Sequence, residues 1–236
     1  MSRPTVPAPA VPELVESPPW AGSFLSRLPK EARSHLLDGG AIHDVAAGRV
    51  VAGQSALNER TWVLMAGLAS ASLQGPNGRR IVVRYVQPGG LVGVVPGVPP
   101  LRHHIHVEAV GDCSLVELPT NELARLAQVD PRVAAAVLAD VSGRLQDTYA
   151  TLTVTAFGTM RERVAMCLLG LALRTPDGRL AAPVTQQGLA DAVGTVRQEV
   201  ARVLADLRQL GLVATGVGEV VIQDGIGLAA IVERWI

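Results

Sequence analysis

The sequence predicts an α+β chain: a run of short strands, then one long helix, then a compact helical segment ending in a β-hairpin. Three observations predict it. Between about Gly39 and Leu118, short apolar runs are separated by Gly, Pro, Asn and Asp about every 8 to 12 residues, the rhythm of an all-β barrel or sandwich. At Asp130-Pro131 the period changes, and apolar residues then recur at spacings of 4, 4, 3 and 4. From Met160 onward the order reads helix, hairpin, two short helices and two strands.

The elements follow in chain order. Residues 1–20 carry six prolines and one Arg and lack the apolar stretch of a secretory signal, so a mobile tail is expected. Residues 75–80, Gly-Pro-Asn-Gly-Arg-Arg, predict a hairpin turn in which Asn77-Gly78 supplies the positive φ angles. Asp130 is a good N-cap and Pro131 suits the first helical position, so the long helix should begin there. Val137, Val141, Leu145, Thr148 and Leu152 form its seam, over about 26 residues or about 39 Å. A stripe this narrow on a helix this long predicts pairing with a second helix in a parallel homodimer. The blander alternative is that the helix only covers the barrel.

The most informative stretch is residues 184–213, VTQQGLADAVGTVRQEVARVLADLRQLGLV. Thr185 is expected to cap a first helix with Leu189, Ala190 and Val193 inward, and Gly194 to make the tight turn. Thr195 is expected to cap the second helix, with Gln198 completing a capping box. On that helix Val200, Val203, Leu204, Leu207 and Leu210 share one arc at 100° per residue, while Arg197, Gln198, Ala201 and Arg202 lie on the opposite arc. Helix, turn, helix and hairpin is the plan of a winged helix, and the second helix of such a motif reads base edges with its N-terminal end. Arg donates a bidentate pair to guanine and Gln to adenine, and the small Ala201 lets the backbone approach the groove. The blander reading is an amphipathic surface helix with Gln198 as a cap residue only.

Composition bounds the rest. The chain has 236 residues and is 48% hydrophobic, enough for a sizeable core. With 21 basic and 21 acidic residues its net charge is zero, which argues against coating nucleic acid or membrane through bulk charge. Lys30 is the only lysine, an Arg bias that reads as a GC-rich genome. No apolar run reaches the length of a membrane span. Two cysteines build no disulfide framework and no four-thiolate site, and a cytoplasmic location is expected. No nucleophile–base–acid set, P-loop or metal-hydrolase motif is present, so an enzyme is not expected.

Residues 184–213, the preceding MRERVAMCLLGLA and the order of elements together resemble the cyclic-AMP receptor protein and fumarate–nitrate regulator (CRP/FNR) family of bacterial transcription factors. The resemblance covers roughly residues 21–225. It implies a β-roll sensor of the cyclic-nucleotide-binding type over 21–130, a dimerisation helix over 131–157 and a winged-helix DNA-binding domain over 158–236. The family's recognition helix carries Arg, Glu, three residues and Arg; here the match is Arg197, Gln198 and Arg202. Both arginines fall on guanine-reading positions, and Gln198 replaces the glutamate that accepts from cytosine. A palindromic site related to the family's TGTGA-type half-site, but not identical to it, is expected.

The effector cassette departs further. The family's Gly-Glu pair on the ribose corresponds to Gly93-Val94, so the carboxylate is missing. Its Arg-Ser pair on the cyclic phosphate falls on His103 and His104, with Arg102 adjacent. Neutral histidine offers one donor and no fixed charge to a buried phosphate, so cyclic AMP in its usual pose is not expected. Positions approaching the base fall on Thr148 and Tyr149, leaving room for another small-molecule effector. His103, His104 and His106 raise a haem or metal site, but without a carboxylate or Cys at chelating distance they read as a loop-edge cluster, and no cofactor is expected. Cys113 and Cys167 are expected as packed core residues, with no basic cluster or resolving thiol beside them in sequence.

The function expected is therefore a homodimeric, sequence-specific DNA-binding regulator, with RNA polymerase as a possible further partner. The alternative is a ligand, redox or haem sensor acting through a protein partner, its winged helix degenerate.

Overall fold

The computed structural model describes residues 23–38, 40–52, 60–74, 80–93, 105–175 and 177–235. The expected tail over 1–20 and the Asn77-Gly78 turn lie outside the described residues. The chain divides into two units, one from Met1–Gly67, Val86–Arg102 and Glu108–Val141, the other from Leu68–Tyr85, His103–Val107 and Ser142–Ile236.

The first unit opens with two helices that the sequence reading did not place, α1 (Phe24–Arg27) and α2 (Lys30–Leu37). The signal for α1 is Ser23, whose hydroxyl accepts the Ser26 N–H at 3.1 Å. Eight strands follow along the chain: β1 (Ile42–Val45), β2 (Val50–Ala52), β3 (Thr61–Ala66), β4 (Ala69–Gln74), β5 (Arg80–Val86), β6 (Leu91–Gly93), β7 (Ile105–Ala109) and β8 (Cys113–Leu118). They form two sheets, ordered β1-β8-β3-β6 and β2-β7-β4-β5. Thr61 through Met65 of β3 are all buried, as befits a central strand of apolar residues. β3 runs antiparallel to β8 with a register break between Leu64 and Ala66, the mark of a β-bulge. Gly93, at the end of β6, has φ +98, and a Cβ there would sit 2.1 Å from the Arg60 carbonyl oxygen, so the strand edge itself demands glycine.

α3 (Thr120–Val129) leads into α4 (Pro131–Phe157), which begins where the sequence predicts. The Asp130 carboxylate accepts the Arg132 backbone N–H at 2.9 Å and holds its guanidinium, at 2.9 Å, across the first turn. Phe24, Leu25, Leu36, Val63, Leu91, Val116, Leu118, Leu123 and Val133 make one buried core, with Val137 packed against it.

That packing takes Val137 out of the expected seam. Val137, Val141 and Thr148 are partly buried within the chain, and the Thr148 hydroxyl donates to the Arg144 carbonyl at 2.8 Å. The exposed apolar stripe instead runs Leu138, Leu145, Tyr149 and Leu152. Its spacings of seven, four and three keep the heptad rhythm. Leu145 and Leu152 of the predicted seam lie on this stripe; Val137 instead packs against the core, and Val141 and Thr148 are partly buried.

The second unit holds α5 (Met160–Leu171), β9 (Leu173–Arg174), β10 (Leu180–Ala182), α6 (Gln186–Val193), α7 (Arg197–Gln209), β11 (Val213–Thr215), β12 (Val220–Ile222), α8 (Gly225–Ala230) and a final 3-10 turn, Glu233–Trp235. The strands form an antiparallel sheet ordered β11-β12-β10-β9. Val164, Leu168, Leu189, Val200, Leu204, Leu207, Val213, Val220, Leu228 and Val232 are buried. In the same unit Tyr85 of β5 lies against Gly170, where a Cβ would meet its ring at 2.4 Å, and its hydroxyl is 3.4 Å from Cys167 Sγ. Among the described residues no helix is long and apolar enough to cross a membrane.

Candidate nucleic-acid interface

The interface is built from the turn between α6 and α7. Thr185 caps α6 as expected, its hydroxyl accepting the Gly188 N–H at 3.0 Å. Gly194 ends the helix with φ 74 and ψ 42, a left-handed conformation that glycine adopts without a side-chain clash. Here the expected role of Thr195 fails. Its backbone N–H closes back onto the Ala190 carbonyl at 2.9 Å, a return bond of the kind that seals a helix C-terminus. Val196, extended at φ −100 and ψ 151, is the N-cap of α7, which has no side-chain cap, so the Thr195–Gln198 box does not form. The same signature does form a box at the start of α5: Thr159 accepts the Glu162 N–H, and the Glu162 carboxylate accepts the Thr159 N–H at 2.7 Å.

α7 is anchored by Val200, Val203, Leu204 and Leu207, all buried. Leu210, expected on the same arc, lies at the C-cap and is 56% exposed, because the chain is already leaving the helix for the turn at Gly211. With one face fixed, Arg197, Gln198 and Arg202 are exposed on the first two turns and Ala201 is partly buried beside them. The structure thus brings the predicted readers to one solvent-facing end of one helix. Among the described residues, Arg197 and Gln198 make no side-chain hydrogen bond or ion pair. Arg202 is different: its Nη2 donates to Glu199 Oε2 at 2.7 Å. That hydrogen bond, then the Glu199 charge and the more distant Asp206, hold the guanidinium more firmly protonated than usual.

One contact ties the helix to the β11–β12 hairpin, and an ion pair holds that hairpin to its neighbour. Arg208 Nη1 reaches Thr215 Oγ1 on β11 at 3.4 Å. Arg179 pairs with Asp177 at 2.6 Å and with Glu219, beside the β11–β12 turn, at 3.5 Å. The sequence reading missed Glu162, which is 4% exposed yet charged. Beyond its capping role it accepts from Arg234 Nη2 at 2.6 Å and the Trp235 indole N–H at 2.8 Å. Burial pushes this carboxyl up, but the Thr159 backbone, Trp235, the Thr159 hydroxyl and Arg234 together outweigh it and hold it at about 2. The Thr-x-x-Glu spacing at 159–162 was the available signal; the partners 72 and 73 residues away left none.

Of the expected effector residues, Val94, Arg102, His103 and His104 lie outside the described residues. Gly93 ends β6, Thr148 is partly buried with its hydroxyl turned to its own helix, and Tyr149 is 59% exposed on the outward stripe of α4. His106 lies on β7 and is partly buried. Among the described residues no three His, Cys, Asp or Glu side chains are grouped to hold a metal ion. Cys113 and Cys167 are both buried; burial pushes the Cys167 thiol up to about 11, against a smaller opposing effect of its hydrogen bond with Tyr85, which leaves it a poor nucleophile.

Two family models match the chain: a cyclic nucleotide-binding domain over residues 42–130 and a Crp-like helix-turn-helix domain over residues 162–231. Transcriptional regulator SdrP of Thermus thermophilus is 28% identical over 180 residues, covering 74% of this chain and 85% of that protein. Among solved structures, a CRP/FNR-family transcriptional regulator from Thermus thermophilus aligns with a TM-score of 0.61 at 25% identity, over 83% of this chain and all of the other. FixK2 from Bradyrhizobium japonicum aligns with a TM-score of 0.68 at 23% identity, over 81% of this chain and 96% of the other, a likeness of fold.

Proposed function

The chain belongs to the CRP/FNR family of transcription regulators, which are not enzymes, and from that premise we propose that it binds a palindromic DNA site as a homodimer without needing cyclic AMP. The observation that carries the proposal is the exposure of Arg197, Gln198 and Arg202 on the first two turns of a helix whose opposite face is buried. Each arginine offers a planar pair of donors to guanine O6 and N7, and each such pair is worth about 1 to 3 kcal/mol against the wrong base. Gln198, in place of a carboxylate, matches adenine better than cytosine.

Two recognition helices must enter successive major grooves about 34 Å apart. The outward stripe Leu138, Leu145, Tyr149 and Leu152 is suited to hold two α4 helices together and so to fix that separation. An effector controls the protein only if it binds one helix arrangement better than another. The cassette argues for a different effector or for none: Val94 stands where a carboxylate would hold the ribose, and His103 and His104 where an arginine and a hydroxyl would hold the phosphate. In this reading the protein works in the cytoplasm on duplex DNA, with RNA polymerase as its further partner at promoters.

Footprinting of the purified chain with no added ligand tests this. Protection of a two-fold site with half-sites one turn apart is expected; absence of any specific protection at physiological salt would sink the ligand-independent form.

A further inference from the structure

Arg197 and Arg202 are presented differently although the reading above gives them the same task. Arg197 has no partner among the described residues. Arg202 lies between two carboxylates of its own helix: Glu199, one turn before, is hydrogen-bonded to Nη2 at 2.7 Å, and Asp206, one turn after, adds its field without a hydrogen bond. The plain account of such a pair is a few tenths of a kcal/mol of helix stability from an exposed i,i+3 contact and a carboxylate in the first turn. The pair also stands at the exposed end of the helix proposed to read DNA.

A guanidinium presents five N–H donors in a fixed plane. Engaging one edge on Glu199 leaves the rest of the fork to face outward, and limits the rotamers by which a long side chain would otherwise fold onto the nearest phosphate. The charge balance points the same way. Arg197, Arg202 and Arg208 on α7 are set against Glu199 and Asp206, leaving one net positive charge. A phosphate approaching Arg202 meets the negative charge of Glu199 beside it, whereas a neutral guanine edge does not and can be met by the free side of the fork. We propose that Glu199 is a positioning residue that sets sequence specificity, aiming Arg202 at the base edge and withholding it from non-specific backbone contact. The inference rests on Arg202 being a base reader.

The test compares Glu199→Gln, Asp206→Asn and Arg202→Ala with the unaltered protein, each titrated with the footprinted site and with scrambled duplex over a salt series. For Glu199→Gln, scrambled-duplex affinity should rise several-fold, the specific-to-scrambled ratio should fall about tenfold, and the log K against log salt slope should steepen by about one per subunit. Asp206→Asn removes the same charge without breaking a hydrogen bond to Arg202, so it should steepen the slope while keeping most of the ratio. That contrast separates aiming from bulk charge, and thermal melting checks that neither variant loses the fold. If Glu199→Gln keeps the ratio while Arg202→Ala abolishes it, Arg202 reads bases and the positioning role is wrong. If Arg202→Ala also keeps the ratio, the base-reading assignment itself falls, and this inference with it.

Discussion

Replacing Leu145 and Leu152 together by alanine should break the proposed dimer while leaving the subunit folded. In the single chain Leu145 is 51% and Leu152 61% exposed, so roughly half of each side chain remains to be covered by a partner. Full burial of a leucine is worth about 1.5 to 3 kcal/mol, which gives about 1 kcal/mol for each exposed half. Two residues on two subunits make about 4 kcal/mol, or about a thousandfold in the dimer dissociation constant. Sedimentation equilibrium over a dilution series measures this directly. Because neither side chain belongs to the buried core, thermal unfolding of the dissociated subunit should change little. Val137→Ala supplies the contrast, since Val137 packs on the core and its loss should cost stability before it costs association. A Leu145→Ala/Leu152→Ala protein that stays dimeric at the concentrations where the parent does would refute the stripe as the interface.

Two further outcomes follow from the same structure. Glu162→Gln should lower stability at neutral pH and flatten the acid limb of the unfolding profile. The folded-state carboxyl is held at about 2, below its ordinary 4.5, so its contribution is present above about pH 4.5 and disappears as pH falls toward 2; a parent protein whose stability is level through that window would contradict the assignment. The salt dependence of operator binding should be shallower than that of a strongly basic binder, because residues 157–236 hold eight Arg against eight acidic residues. A log K against log salt slope as steep as about −10 would show that phosphate attraction dominates after all.

The architecture is legible in the sequence where caps, turns and apolar periodicity act locally. Asp130-Pro131 starts α4, Thr185 and Gly194 bracket α6, and four of the five residues on the predicted apolar arc of α7 are buried, all but Leu210 at its end, so the placing of Arg197, Gln198 and Arg202 was legible. Where two local rules compete, the reading fails. Thr195 can serve as a cap for the second helix or as the last link of the turn that closes the first, and a tight turn needs the second role. Choosing between neighbouring stripes on α4 requires knowing which face the first core claims, information held in part by Phe24 and Leu25 far away in sequence. The short α1 and α2 were missed because α1 is a single turn and α2 follows Pro29 with no side-chain cap. The Glu162 cluster depends on the C-terminal Arg234 and Trp235, which no spacing rule connects to it.

Base reading by Arg197 and Arg202 is tested most directly by the affinity and sequence preference of the Arg197→Ala/Arg202→Ala double variant. Measured by fluorescence anisotropy against the footprinted site and a scrambled duplex, it should bind the site no better than the scramble while remaining folded and dimeric. Operator affinity and preference equal to those of the parent would contradict the claim that these two arginines read the DNA.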